Sequence, residues 1–235
     1  MIDIHSHILP GIDDGPADWD ESIEMCRLAS EDMITTIVAT PHIIDGIYPN
    51  NRAIIMEKIR ELKKKIKGRV ALDILLGADI HLTPDIIERI KREEFPTIND
   101  NGYILLELPW NLLPPDIGSF LSELGSAGTT PVITHVERTA WIQREFQQLH
   151  NFIKNGALIQ ITAMSITGDF GRFAKYWAEK LLKDRLVHII ASDAHSKTGR
   201  PPCLSSALEV AASIVGEENA SAMVNDTPLK VINGK

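Results

Sequence analysis

Short runs of apolar, largely β-branched residues recur along the chain about every 30 residues, each followed by a segment with apolar positions at helical spacing. The runs cover residues 2–5, 35–39, 72–76, 103–108, 131–135, 158–161 and 187–191. Near-continuous strand hydrophobicity alternating with amphipathic helices is the pattern of βα units whose parallel sheet is covered on both faces. Seven such units predict an α/β fold, a distorted seven-stranded (β/α) TIM-like barrel, with residues 1–235 as one domain and no linker.

The helical segments carry boundary signals of their own. Ile54, Ile55, Ile59, Leu62 and Ile66 define the buried face of a helix, which makes the basic run from Lys58 to Lys67 its solvated side. In Thr83-Pro84-Asp85, Thr83 suits a cap, Pro84 a first turn and Asp85 the positive end of the helix dipole. Gly68, Gly156 and Gly216 fall where helices should stop. Residues 8–18 and 196–202 read as long irregular loops beside strand ends.

Composition narrows the function classes. With 44% hydrophobic and 24% charged residues the chain reads as an ordinary globular protein, and no apolar stretch reaches the length of a membrane span. A net charge of -8 repels phosphate backbones, so nucleic acid is not expected as a partner, while self-association is compatible with the sequence. Cys26 and Cys203 are isolated and suit a reducing compartment, and the start Met1-Ile2-Asp3-Ile4-His5 has no secretory pattern, so a cytoplasmic location is expected.

Candidate chemistry then falls on the strand ends. Five of the eight histidines lie there: His5 and His7 after strand one, His42 after strand two, His135 after strand five and His195 after strand seven. Asp79, Glu107 and Asp193 end strands three, four and seven, and strand six offers only Gln160. Residues two apart on a strand face one side, so His5 with His7, and Asp193 with His195, each present a pair of ligands. Parallel strands converge at their C-terminal ends, and a mixed imidazole and carboxylate set there suits two to three divalent ions such as zinc, manganese, iron or magnesium. Asp3 is expected either to orient a ligand histidine or to make a structural hydrogen bond, His150 and His188 to be structural, and His81 to lie in a loop.

Arg138 and Arg200 stand close to the ligands and fit the bidentate holding of a phosphoryl group. Neither cysteine is followed by an arginine at the spacing of a thiolate phosphatase, and Walker-type loops and serine elbows are absent from the sequence. The expected reaction is therefore attack of an activated water on a phosphate ester.

The stretch Asp3-Ile4-His5-Ser6-His7 with Leu9-Pro10-Gly11-Ile12-Asp13-Asp14-Gly15-Pro16 resembles the first motif of the polymerase and histidinol phosphatase (PHP) superfamily. More narrowly it is similar to the bacterial tyrosine-protein phosphatases of the CpsB/CapC type. Ala39-Thr40-Pro41-His42, Leu106-Glu107-Leu108-Pro109, Thr134-His135-Val136-Glu137-Arg138, Ser192-Asp193-Ala194-His195 and Arg200-Pro201-Pro202 continue the match in order, over essentially the whole chain. The resemblance implies up to three metals, manganese-type in use, and hydrolysis of phosphotyrosine on an autophosphorylating bacterial kinase that governs exopolysaccharide assembly. It places His5, His7, His42, Glu107, His135, Asp193 and His195 on ligand positions, Asp13 or Asp14 on a third-metal position, and Arg138 and Arg200 on phosphate-binding ones. His42 or His195 is then a candidate proton donor to the leaving phenolate. One position departs: Asp79 stands where the family usually has a bridging Glu. Two alternatives use the same residues, a small-molecule phosphoesterase such as histidinol-phosphate phosphatase and a metal-binding module without turnover.

Overall fold

A computed structural model describes residues 1–234. Its strands are β1 (Ile2–Ser6), β2 (Thr36–Ala39), β3 (His42–Ile43), β4 (Asp73–Leu76), β5 (Asp79–His81), β6 (Tyr103–Glu107), β7 (Thr130–Ile133), β8 (Leu158–Thr162) and β9 (Ile189–Ala191). All named pairings are parallel. They form a three-stranded sheet, β1-β2-β4, and a curled six-stranded sheet, β3-β5-β6-β7-β8-β9.

The expected second and third strands are each broken in two, and the breaks serve the site. Pro41, which has no N–H for a ladder, separates β2 from β3, and Gly77-Ala78 separates β4 from β5. A Cβ on Gly77 would lie 2.5 Å from Val38 Cγ1 and 3.1 Å from Thr40 Cγ2, so the two corners nest only because residue 77 has no side chain. Past the corners the strands change sheet and pair again with His42 opposite Asp79. The chain beyond β9 returns to β1: Ser6 bridges Ala194, His7 N–H donates to Ala194 O at 2.8 Å and Asp193 N–H to His5 O at 2.8 Å.

Two apolar clusters pack these layers. The larger lies between the sheets and the helices and includes Met25, Leu62, Trp141, Phe152 and Leu181. The smaller draws Ile4, Val38, Leu105, Val132 and Ile189 from five strands. The C-terminal helix Asp226–Asn233 adds Val231 and Ile232 to it beside strand-starting residues Ile2 and Tyr103, leaving the other strand ends to polar groups.

Helix boundaries bear out some expectations and correct others. Asn51 caps helix Arg52–Ile66 by accepting from Ile54 N–H at 3.1 Å, and Ile55, Ile59, Leu62 and Ile66 are buried, but Ile54 in the first turn points outward. Gly156 and Gly216 follow helix ends with φ of 86° and 88°, and Gly68 lies just beyond helix Arg52–Ile66 with φ 74°. The Thr83-capped helix is not formed: residues 83–85 make a turn, the helix is Ile86–Lys91, and Thr83 Oγ1 is buried without a partner. His81 ends β5 rather than sitting in a loop, and His188 lies just before β9 rather than inside it.

Candidate metal centre

His5, His7, His42, Asp79, Glu107, His135, Asp193 and His195 meet at the C-terminal ends of the strands, with Asp14 reaching in from the loop after β1. Their donor atoms form three sets, each within 4.8 Å: His5, His7 and Asp193; His42, Asp79 and Glu107; and His7, Asp14, His42 and His195. His135 joins the second set, its Nε2 3.8 Å from Glu107 Oε1 and 4.0 Å from Asp79 Oδ2. His135 and Asp193 adopt left-handed backbone, φ 35° and 52°, a region uncommon for non-glycine residues although Asp and His enter it more readily than most, and one that clusters at functional sites.

The hydrogen-bond network fixes which imidazole nitrogens are bare. Gln160 Oε1 accepts from the His135 backbone N–H at 3.4 Å, which identifies it as the oxygen. The same oxygen lies 3.1 Å from His5 Nδ1, so the neutral His5 ring keeps its proton there and offers Nε2 as the lone pair. Asp13 Oδ2 accepts from His7 Nδ1 at 2.7 Å, and the Asp193 carbonyl accepts from His195 Nδ1 at 2.9 Å, with the same consequence for both rings. The bare Nε2 atoms of His5 and His7 face each other at 3.2 Å. Asp193 Oδ1 lies 3.4 and 3.5 Å from them, and Asp79 Oδ2 3.5 Å from His5 Nε2. Those separations match the edges of a tetrahedron with metal bonds of about 2.0–2.1 Å. Both Asp79 carboxylate oxygens and Glu107 Oε2 are buried without a hydrogen-bond partner. Converging lone pairs and unpartnered carboxylate oxygens fit divalent cations.

The two adjacent aspartates of the first loop divide their tasks. Asp13 is turned inward, accepting also from the N–H groups of Gly15 at 3.0 Å and His42 at 3.1 Å. Asp14 faces the cluster, its Oδ1 3.3 Å from His195 Nε2 and 3.7 Å from His42 Nε2. Asp3 does not touch a histidine ring: its carboxylate takes the N–H groups of His5 and Ser192 and the Ser192 hydroxyl, because β1 turns that side chain toward the segment after β9.

Electrostatics follow the same geometry. Burial opposes ionisation of Asp193, but His5, Arg200 and His135 outweigh it and hold the carboxyl well below the usual range. Burial and the neighbouring Asp79 charge push Glu107 up to about 7. The hydrogen bond to His195 holds Asp14 down at about 2. Burial depresses His135 to about 3, and burial with three neighbouring histidines depresses His7 well below its ordinary value. Burial opposes protonation of His5 and His42, but Asp79 and the other carboxylates outweigh it and push both rings up to about 9. Cations held there would therefore displace a proton from each of these rings, whereas His7 and His135 are already neutral.

Arg138 and Arg200 meet on one oxygen. Arg138 Nη1 and Arg200 Nη2 each donate to Asp193 Oδ2 at 2.6 Å, and Arg200 Nη2 also donates to the Asp193 carbonyl at 3.0 Å. The carboxylate thus turns Oδ1 to the histidines and Oδ2 to two guanidinium groups. Phe170 lies under both, its centroid 4.4 Å from Arg138 Cζ and 5.5 Å from Arg200 Cζ. Sequence reasoning missed Phe170, which follows a helix that no pattern marks. It also missed Glu137, fully buried beside Arg138, which accepts from Thr162 N–H at 3.0 Å and Ser165 Oγ at 2.6 Å and so pins the arginine's turn to β8.

The other histidines stand apart. His188 Nδ1 accepts from Ile159 N–H at 3.2 Å, a structural bond, and His150 is exposed on helix Gln148–Lys154. A cleft of about 540 Å³ runs past Pro114, Asp116, Ser119, Glu145 and Asn151 and shares no residue with the cluster, so cavity size does not mark the chemistry here.

The family described as capsular polysaccharide synthesis, CpsB/CapC, matches residues 1–233. The putative tyrosine-protein phosphatase CapC of Staphylococcus aureus is 41% identical over 202 residues, covering 86% of this chain and 79% of the relative. Tyrosine-protein phosphatase YwqE of Bacillus subtilis is 36% identical over 234 residues, covering 99% and 92%. Tyrosine-protein phosphatase CpsB of Streptococcus pneumoniae is 32% identical over 240 residues, covering 99% and 98%. A solved structure from work on B. subtilis YwqE and S. pneumoniae CpsB, described as unique metal-dependent tyrosine phosphatases, matches with TM-score 0.95 and 34% identity over 100% of this chain and 95% of that one. Dihydropyrimidinase of Brevibacillus agri, at TM-score 0.59 and 11% identity over 99% and 70%, shares the fold alone.

Proposed function

The chain belongs to the CpsB/CapC family, and on that premise we propose that it is a metal-dependent protein-tyrosine phosphatase. Its substrate is phosphotyrosine on an autophosphorylating bacterial kinase that governs capsular or exopolysaccharide synthesis. The observation that carries the reading is the set of bare imidazole nitrogens and unpartnered carboxylate oxygens gathered beside two arginines. Two to three manganese-type ions would be held by His5, His7 and Asp193, by Asp79, Glu107 and His135, and by Asp14, His42 and His195. Asp13 orients His7 instead of binding an ion. Asp79 Oδ2 lies within 3.3–4.0 Å of His5, His42 and His135, so the shorter side chain still reaches the bridging position.

Divalent ions held there would bring water's pKa towards neutrality and offset charge on the phosphoryl oxygens. The protein's own groups do the rest. Arg138 and Arg200, held side by side by Asp193, turn their remaining N–H groups to the phosphoryl oxygens. A phenolate with a pKa of about 10 leaves with little proton assistance. His42, at 13% exposure the most open of the five clustered histidines, turns Nδ1 to Asp79 and Glu107 and Nε2 to Asp14, so as an ion ligand it would have no N–H left to protonate the phenolate. We also read the two sheets as one distorted barrel of seven strand positions in a single domain, a reading supported by the paired breaks and the Ser6–Ala194 bridge. The two free thiols suit a reducing, cytoplasmic setting, and among the described residues no helix is long and apolar enough to cross a membrane.

One preparation tests this: ion content, and turnover of a phosphotyrosine peptide and of histidinol phosphate, for wild type, Asp79→Glu and Asp79→Asn. Wild type should hold two to three ions and prefer the peptide. Asp79→Glu should keep the wild-type ion content and activity, and Asp79→Asn should lose activity by at least about 10–100-fold, the order of magnitude that removing a group supporting a metal ligand costs. Preference for histidinol phosphate makes the protein a small-molecule phosphoesterase. No metal-dependent turnover makes it a binding module.

A further inference from the structure

We infer that Trp110 is the wall on which the substrate's aromatic ring lies, so that it selects aryl over alkyl phosphates; this rests on the phosphatase reading of the same site. Trp110 follows β6 in the loop before helix Ile117–Ser126, and its carbonyl accepts from Ala140 N–H at 2.9 Å. That bond fastens the loop to the segment just after the turn carrying Arg138. The indole centroid is 6.4 Å from the His135 ring and 5.5 Å from Arg138 Cζ, yet Trp110 is 44% exposed.

The other two aromatic rings around the site are engaged more closely than Trp110. Tyr48 stacks on His42 with an interplanar angle of 10°, and Phe170 lies under both guanidinium groups. Trp110 alone among these three is a large ring, fixed through its backbone beside the reacting groups, with much of its surface open. A second ring placed against it would meet it at the 4.5–7 Å separation of aromatic pairs.

Depth makes the choice of ester. His5, His7 and Asp79 are fully buried, and the two arginines are held on Asp193 beside them. An aryl phosphate carries its phosphorus one ring radius and one ester link beyond the ring centre. Its phosphoryl group reaches the arginines while its ring passes Trp110 and its main chain stays outside. Phosphoserine separates phosphorus from the main chain by only a methylene and an oxygen, so its backbone would have to come closer to the arginines than that of phosphotyrosine and would leave the face of Trp110 uncovered.

The test compares phenylphosphonate with methylphosphonate, two inert anions, by calorimetric titration of the manganese-loaded protein, for wild type, Trp110→Leu and Trp110→Phe. Wild type should bind phenylphosphonate roughly two- to tenfold more tightly. Trp110→Leu should abolish that ratio with methylphosphonate affinity unchanged, and Trp110→Phe should keep most of it. Equal binding of both anions by wild type overturns the inference. So does an equal loss for both in Trp110→Leu, which would mean that Trp110 acts through Arg138. A preserved ratio without turnover of a phosphotyrosine peptide supports the wall and overturns only the proposed activity.

Discussion

The protonation state of an imidazole in this site is set by what its second nitrogen meets. Gln160 is the clearest case, because its oxygen is identified by a backbone donor and in turn sets the proton of His5. Replacing it by leucine leaves His5 Nδ1 buried without an acceptor and frees the ring to change tautomer. Gln160→Leu should therefore weaken metal binding by about 10–100-fold, with Gln160→Glu recovering most of it, as read by calorimetric titration with manganese. Unchanged affinity in Gln160→Leu would show that the tautomer is held by other means. At this scale much of the site was legible in the sequence, because histidines and carboxylates two apart at strand ends have few other uses. What was not legible were choices between neighbours. Asp13 and Asp14 are chemically identical and adjacent, and only the fold of the loop turns one to His7 and the other to His195. Whether Asp3 orients a histidine ring or makes a structural bond is likewise decided only by the fold, which fills its acceptors with the His5 N–H and with Ser192, far away in sequence.

Among the elements, the seven apolar runs were visible because buried parallel strands announce themselves by composition, but the two mid-strand breaks were not. Pro41 and Gly77 read from sequence as strand ends, and only their nesting shows that the strands resume in another sheet. The Thr83 cap failed for a related reason: a capping motif is local, and here the turn at 83–85 displaces the helix start to Ile86 and leaves Thr83 Oγ1 buried without a partner. The nesting itself is testable. A methyl at residue 77 must push Val38 or the Thr40 corner aside, and Asp79 lies two residues on. Gly77→Ala should cost about 1–3 kcal/mol in urea unfolding and lower metal affinity as well, since the corner registers His42 against Asp79. A loss of stability with metal binding untouched would show that the corner is packing alone.

Over the whole molecule, the chain carries a net charge of -8 and concentrates four carboxylates, Asp14, Asp79, Glu107 and Asp193, in one small volume. Two consequences follow. A phosphorylated partner is repelled at long range, so its docking must rely on the local positive charge of Arg138, Arg200 and the bound ions, and association should quicken as salt screens the repulsion. The carboxylate cluster also works against folding, as the upward push of Asp79 on Glu107 shows. Arg138 and Arg200 both spend a donor on Asp193, leaving Asp79 and Glu107 without arginine partners. Cations bound by the native state alone stabilise it by mass action, about 2.7 kcal/mol at a hundredfold excess over Kd. For a chain of this length each kcal/mol moves Tm by about 2–4 °C, so stripping the ions with a chelator should lower Tm by roughly 5–11 °C for each site emptied. Adding manganese back should restore it. Asp79→Asn removes one of the repelling charges together with a ligand, so its apo form should melt no lower than the wild-type apo form while its response to manganese shrinks. Differential scanning calorimetry of the two proteins, with and without chelator, separates these effects. An Asp79→Asn protein that responds to manganese as fully as wild type would remove Asp79 from the metal centre.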